Sequence, residues 1–114
     1  MRILEYINDD GTSPFARWFS RLNTPAALKV RRAVAQLELG NWSNTKAVGG
    51  GVLERVIDFG PGYRVYFGRD SETLVILLGG GTKKRQQKDI ADAKGLWGHY
   101  KLRKRRGRFH GTNT

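Results

Sequence analysis

The chain reads as an α+β domain of order β-α-α-β-β-β-α, an antiparallel sheet with an N-terminal helical hairpin and a C-terminal helix. Three observations predict it. Apolar residues recur at helical spacing in the first third and again after Gln86; the stretch from Val52 to Leu78 alternates with period two and is rich in β-branched and aromatic residues; turn-forming clusters separate the segments. A chain of 114 residues suffices for one compact domain. Its expected bounds are 1–100 for the domain and 101–114 for a basic, mobile tail.

Arg2-Ile3-Leu4-Glu5-Tyr6-Ile7 suits a strand, which Asn8-Asp9-Asp10-Gly11 breaks. Thr12 or Ser13 can cap a helix with Pro14 in its first turn, where the missing N–H costs nothing, and Phe15, Trp18, Phe19 and Leu22 then form a core stripe. Asn23-Thr24-Pro25 repeats the signal for a second helix, whose buried face carries Ala26 or Ala27, Val30, Ala33, Val34 and Leu37 and which ends at Gly40-Asn41. The short Leu22-Asn23-Thr24 joint makes the two helices antiparallel. A polar loop with Lys46 and Gly49-Gly50-Gly51 leads to three strands, about Val52–Phe59, Tyr63–Arg69 and Thr73–Leu78, in an antiparallel meander. Gly60-Pro61-Gly62 turns the first pair, with Pro61 presetting φ and Gly62 taking the positive φ of a type II turn; Arg69-Asp70-Ser71-Glu72 turns the second. The last helix spans Gln86–Tyr100 with Ile90, Ala93, Trp97 and Tyr100 on one face. Gly95 and Gly98 each cost it about 1 kcal/mol relative to Ala, so packing must hold it.

Lys and Arg number 21 against 10 Asp and Glu, a formal net charge of +11. The excess sits late: residues 83–114 hold 11 basic and 2 acidic side chains, residues 1–82 hold 10 and 8. Such density concentrates polyanions and predicts salt-dependent binding to phosphate backbones, with nucleic acid as the expected partner class. The absence of cysteine excludes disulfides, zinc ribbons, iron–sulfur ligation and thiol nucleophiles. His99 and His110 have no carboxylate cluster near them in sequence, so no metal and no cofactor is expected. Gly79-Gly80-Gly81 lacks both the Walker spacing and its Gly-Lys-Ser/Thr ending, and no Gly-x-Ser-x-Gly turn supports a serine triad. No apolar run approaches the roughly 20 residues that span a bilayer, and the N-terminus lacks an export signal's apolar stretch; a cytoplasmic protein without a membrane partner is expected.

Helices packed on one face of the sheet leave the other free for function. A two- or four-residue turn in the first hairpin would put Arg55, Arg64 and Tyr66 on that free face, and Val56, Val65 and Phe67 against the helices. Two arginines and a phenol make a phosphate cradle with a ring for a base to stack on. Lys83-Lys84-Arg85 precedes a helix N-terminus, where the dipole disfavours cations, so an anionic partner accounts for them better than local structure does. Metal-free phosphoryl chemistry remains open: the RNA 2′-hydroxyl attacks the adjacent phosphate while arginine and lysine charges stabilise the transition state.

Gly40-Asn41, Lys46, Gly60-Pro61-Gly62-Tyr63-Arg64-Val65-Tyr66-Phe67 and Lys83, Gln86-Gln87 and Asp89-Ile90 together resemble the addiction-module killer proteins, a HigB-like branch of the RelE/ParE toxin superfamily, over roughly residues 2–100. The resemblance implies a RelE-like fold and the toxin of a type II toxin–antitoxin system. Such a toxin is a metal-independent, ribosome-dependent mRNA endonuclease that inhibits translation in the bacterial cytoplasm. Its partners would be the ribosome, mRNA and a cognate antitoxin protein of helix-turn-helix type. The resemblance places Arg64 at a phosphate- and transition-state-contacting position and Lys83 as the basic residue after the last strand. Arg55, Lys84 and Tyr66 complete the expected catalytic set; Lys46, Arg85, Lys88, Arg103, Lys104, Arg105 and Arg106 form the expected RNA-binding set. Related killer proteins read Glu-Leu-Arg-Ile where this chain reads Glu54-Arg55-Val56-Ile57, which would turn the arginine to the other sheet face. Two other functions stay open: a ParE-like DNA gyrase inhibitor on the same fold, and a non-catalytic nucleic-acid-binding module.

Overall fold

The computed structural model describes residues 1–110, with side chains through Gly107. Of the expected tail, residues 111–114 lie outside the described residues. The chain is α+β, built on a five-stranded mixed sheet of order β1-β5-β4-β3-β2. These strands are β1 (Arg2–Glu5), β2 (Thr45–Gly49), β3 (Val52–Ile57), β4 (Tyr63–Ser71) and β5 (Leu74–Thr82). Helices α1 (Pro14–Phe19) and α2 (Thr24–Glu38) pack on one face; α3 (Gln86–His110) packs on the other after a 3-10 turn at Lys83–Arg85. Both early helices are capped as their sequences require. The Ser13 hydroxyl accepts from the Ala16 N–H and the Asn23 side chain from the Ala26 N–H, each at 3.0 Å, contacts worth about 1 kcal/mol apiece.

Four features depart from the sequence expectation. β2 forms where a polar loop was expected. Gly49, Gly50 and Gly51 all take positive φ (98°, 63° and 85°), which lets the chain reverse at once into β3. β1 lies parallel to β5, with Ile3 opposite Val75, so the sheet is mixed. No tight turn joins those strands, and their direction is therefore free of the hairpin constraint that makes neighbours antiparallel. Helices cover both faces, because Val75-Ile76-Leu77-Leu78 is apolar at four consecutive positions and buried at all of them. That pattern belongs to a strand buried on both sides. Finally, α3 does not stop at Tyr100 but continues to His110. Lys and Arg are good helix formers, and two of them there are tied to the body of the domain, as described below.

The sheet thus separates two cores. Phe15, Val30, Leu37, Val65, Phe67, Val75 and Leu77 fill the side under α1 and α2. Tyr6, Val52, Tyr66, Ile76, Leu78, Ala93 and Trp97 fill the side under α3. Trp97 lies directly on glycine backbone: a Cβ at Gly68 would come within 2.4 Å of its ring, and one at Gly51 within 2.7 Å of its Nε1. Among the described residues no helix is long and apolar enough to cross a membrane.

Gly68→Ala should therefore lower the unfolding free energy by about 1–3 kcal/mol through overpacking. Gly95→Ala on α3, where nothing lies within 4 Å of the added methyl, should raise it by up to about 1 kcal/mol. Urea unfolding followed by tryptophan fluorescence measures both, and equal signs would contradict this account of the packing.

Candidate functional site

Five residues, Asp58–Gly62, join β3 to β4, so Glu54 pairs with Tyr66, Arg55 with Val65 and Val56 with Arg64. Side chains at 54, 56, 64 and 66 share the α3 face, and Arg55 points to the other. The grouping of Arg55 with Arg64 and Tyr66 requires an even-membered turn and is corrected by this odd one. Gly62 takes the positive φ expected after Pro61 (79°), but Gly60 does so too (56°), and Gly62 N–H closes the turn on Phe59 C=O at 3.1 Å. Arg55 instead braces α2. Its guanidinium donates to Val56 C=O and to Gln36 Oε1, and burial pulls its pKa down.

At the centre of the α3 face lies Glu54, with no exposed surface. Its Oε2 accepts from Gln86 Nε2 at 3.0 Å and lies 3.5 Å from Arg64 Nε; its Oε1 lies 3.6 Å from Lys46 Nζ. A carboxylate taken out of water costs several kcal/mol unless its charge is met. Two cations and an amide meet it here, from β2, β4 and the start of α3. Arg64 is held at a second point, where its Nη1 donates to Gly62 C=O at 2.8 Å. The same carbonyl accepts from Lys83 N–H at 2.9 Å. The hairpin loop, Arg64 and the Lys83–Arg85 turn are thereby joined at one oxygen, with Lys46, Lys83, Lys84 and Arg85 exposed to solvent. Arg64 itself is only 8% exposed, not on the open face the sequence reading expected, so a phosphate meeting this end of the sheet would find the four exposed cations first and Arg64 behind them.

Tyr66 is beneath α3, 1% exposed, rather than on an open face, with its hydroxyl beside the Glu54 carboxylate. Burial first, then the Glu54 carboxylate, push its phenol well above the ordinary range. Arg85 lies 4.0 Å from Asp89, whose carboxyl is raised by burial against the pull of Arg85. Asp89 sits over Gly81, where a Cβ would come within 1.9 Å of it. A cleft of about 500 Å³ runs along this end of β5 between Trp18 and Asp89, rimmed by Arg17, Arg21 and Arg85.

The expected RNA-binding set is dispersed. Lys88 pairs with Asp92 at 3.0 Å on the outside of α3. Arg103 donates to Ile7 C=O at 2.8 Å and faces Asp9, and Lys104 binds Asp70. Arg105 and Arg106 are exposed near the far end of α3. Among the described residues no three His, Asp or Glu side chains gather as a metal site. Sequence reasoning missed Glu54 as the organiser of the cations, and Gln86 as its partner. The available signal was a glutamate at the strand parity otherwise occupied by Val52 and Val56.

In sequence, the chain is similar to an uncharacterized protein of Haemophilus influenzae, 44% identical over 84 residues that cover 73% of this chain and 85% of that one. No family model matches the chain. No solved structure matches it.

Glu54→Ala should cost about 3–5 kcal/mol, because it strands Arg64 beneath α3. Lys46→Ala, at an exposed ammonium, should cost less than about 1 kcal/mol; comparable losses in chemical unfolding would remove Glu54 from its central position. A second expectation concerns Tyr66 and Tyr100. The Tyr100 phenol is also raised, by burial and then by its bond to Asp70. Folded values above the unfolded value of about 10 mean that their stabilisation is complete below about pH 10 and is lost as the pH rises toward the folded values. Neither Tyr66→Phe nor Tyr100→Phe should then change the phenolate absorbance of the native protein before alkaline unfolding, and a native-state loss in either variant would contradict the burial.

Proposed function

We propose that this chain, which belongs to the same family as the Haemophilus influenzae protein, is the toxin of a type II toxin–antitoxin pair, of RelE-like fold, acting as a metal-independent, ribosome-dependent mRNA endonuclease. The observation that supports this reading is the cationic end of the sheet, where Glu54 and Gly62 hold Arg64 while Lys46 and Lys83 stand exposed beside it. In the reaction the 2′-hydroxyl oxygen attacks the adjacent phosphorus and gives up its proton to water. The bond to the 5′ oxygen breaks, leaving a 2′,3′-cyclic phosphate and a 5′-hydroxyl. Charge builds on the non-bridging oxygens, and Arg64 is the group to meet it. The leaving oxygen takes a proton, for which the exposed ammonium of Lys83 is suited, with Lys84 adding positive charge. Glu54 is too deeply buried to touch RNA and serves as a positioning residue for Arg64. With Tyr66 buried and Arg55 on the opposite face, the proton donation falls to the lysines, and in-line geometry falls to the ribosome that presents the mRNA. A cognate antitoxin would oppose the cationic surface with acidic segments.

The withdrawal of Arg55 and Tyr66 from the accessible face also favours a second reading, in which the protein binds without cleaving, either as a gyrase inhibitor or as a nucleic-acid-binding module. Adding the purified protein to a translating bacterial extract and mapping mRNA 5′ ends separates the two. Cleavage should require ribosomes and fall about 10²–10³-fold in Arg64→Ala, the loss expected for one transition-state donor. Intact mRNA in the presence of folded wild-type protein would overturn the endonuclease reading, and inhibition of gyrase supercoiling in that case would establish the other.

A further inference from the structure

The second half of α3 is the most cationic part of the molecule. No Asp or Glu follows Asp92, whereas seven Lys and Arg lie between Lys94 and Arg108. Two of these are used inside the fold. Arg103 reaches Ile7 C=O at 2.8 Å and Asp9 at 3.4 Å, and lies 4.6 Å above the Tyr6 ring. Lys104 binds Asp70, a carboxylate 5% exposed that also accepts from the Tyr100 hydroxyl. Neighbouring residues thus grip two different parts of the domain, the segment after β1 and the end of β4. The helix is held on two sides where a charge run by itself would fray.

Lys101 and Arg105, one turn apart, remain exposed. With Arg69 and Gly98 they border a groove of about 580 Å³, and Gly98 leaves the helix backbone bare at its floor. At 1.5 Å per residue the groove lies roughly 20–30 Å along α3 from the Lys83–Arg85 turn, so it is separate from the Arg64 site. Among the described residues of this part of α3, Leu102 is the one exposed large apolar side chain. A lone leucine is a poor anchor for a protein partner, whose contacts centre on a packed apolar or aromatic cluster. A single strand would want open aromatic platforms; Trp97 is 5% exposed and its ring is stacked on Tyr100 at 5.1 Å.

We propose that this face of α3 is a preorganised docking surface for the phosphate backbone of a duplex RNA. It rests on the proposed function only for the identity of the polyanion. The Arg103 and Lys104 contacts hold the rod in place, and Lys101 and Arg105 meet phosphates.

The test is fluorescence anisotropy of a labelled RNA hairpin with the full-length protein over a range of salt, without ribosomes, so that its outcome does not depend on whether mRNA is cleaved. Lys101→Gln with Arg105→Gln should weaken binding roughly tenfold at low salt and reduce the salt slope by about two. Asp70→Asn separates this surface from a mere charged tail. It raises the net charge by one, so a tail would bind more tightly; loss of the Lys104 anchor should instead weaken binding several-fold. If circular dichroism shows that Asp70→Asn does not fold, the exposed Lys101 and Arg105 pair decides alone. An unchanged salt slope in that pair, tighter binding by folded Asp70→Asn, or an equal loss on a single-stranded RNA of the same length would overturn the proposal.

Discussion

A carboxylate removed from water must find counter-charges and hydrogen-bond donors, and Glu54 finds two cations and an amide on three separate elements. Lys46 comes from the edge strand, Arg64 from the central hairpin and Gln86 from the first residue of the long helix. The desolvation cost of an unmet charge opposes arrangements that part Arg64 or Gln86 from Glu54, whereas the exposed Lys46 adds little. The same constraint concentrates cations at one end of the sheet. Stability and the clustering of cations therefore share a single cause, and the glutamate acts on both from a fully buried position.

The odd length of the β3–β4 loop is the second determinant. One residue more or fewer would exchange the faces of β3 and bring Arg55 beside Arg64. As it stands, Arg55 is committed to α2 through Gln36, and Arg64 is held on the other face by Glu54 and Gly62. Gly62 links this register to the lysine turn, because its carbonyl accepts from both Arg64 and Lys83. What the surface offers an anion is consequently a compact group at the end of the sheet, not a broad open face.

The long helix joins the two ends of the molecule. Its first half seals the second face of the sheet with Ala93 and Trp97, the latter seated on glycine backbone. Its second half is held by Asp9, Asp70 and the Ile7 carbonyl, acceptors far away in sequence. A charge run that composition alone describes as solvated becomes a helix with some cations occupied and others free. The distinction matters for any anionic partner, since only the free ones are open to it.

Local chemistry made much of the fold legible in advance. Ser13 and Asn23 cap helices because their side chains satisfy N–H groups three residues ahead, and Gly62 takes a conformation its neighbours strain to adopt. The three central strands, the start of α3 and the late concentration of positive charge also follow from patterns a few residues long. Even the second helix layer had a sign, the unbroken Val75-Ile76-Leu77-Leu78 run. Of the candidate site, the place of Lys83 after the last strand was legible, while Glu54 was passed over, Arg55 was put on the wrong face, and Arg64 and Tyr66 were expected on an open face that α3 covers. By itself the sequence determined which segments form helices and strands and how charge is distributed along them. Only the tertiary structure decided strand direction, pairing register and which cations remain free, because these depend on the residue count of one loop and on partners such as Glu54 with Gln86 and Asp70 with Lys104, more than thirty residues apart.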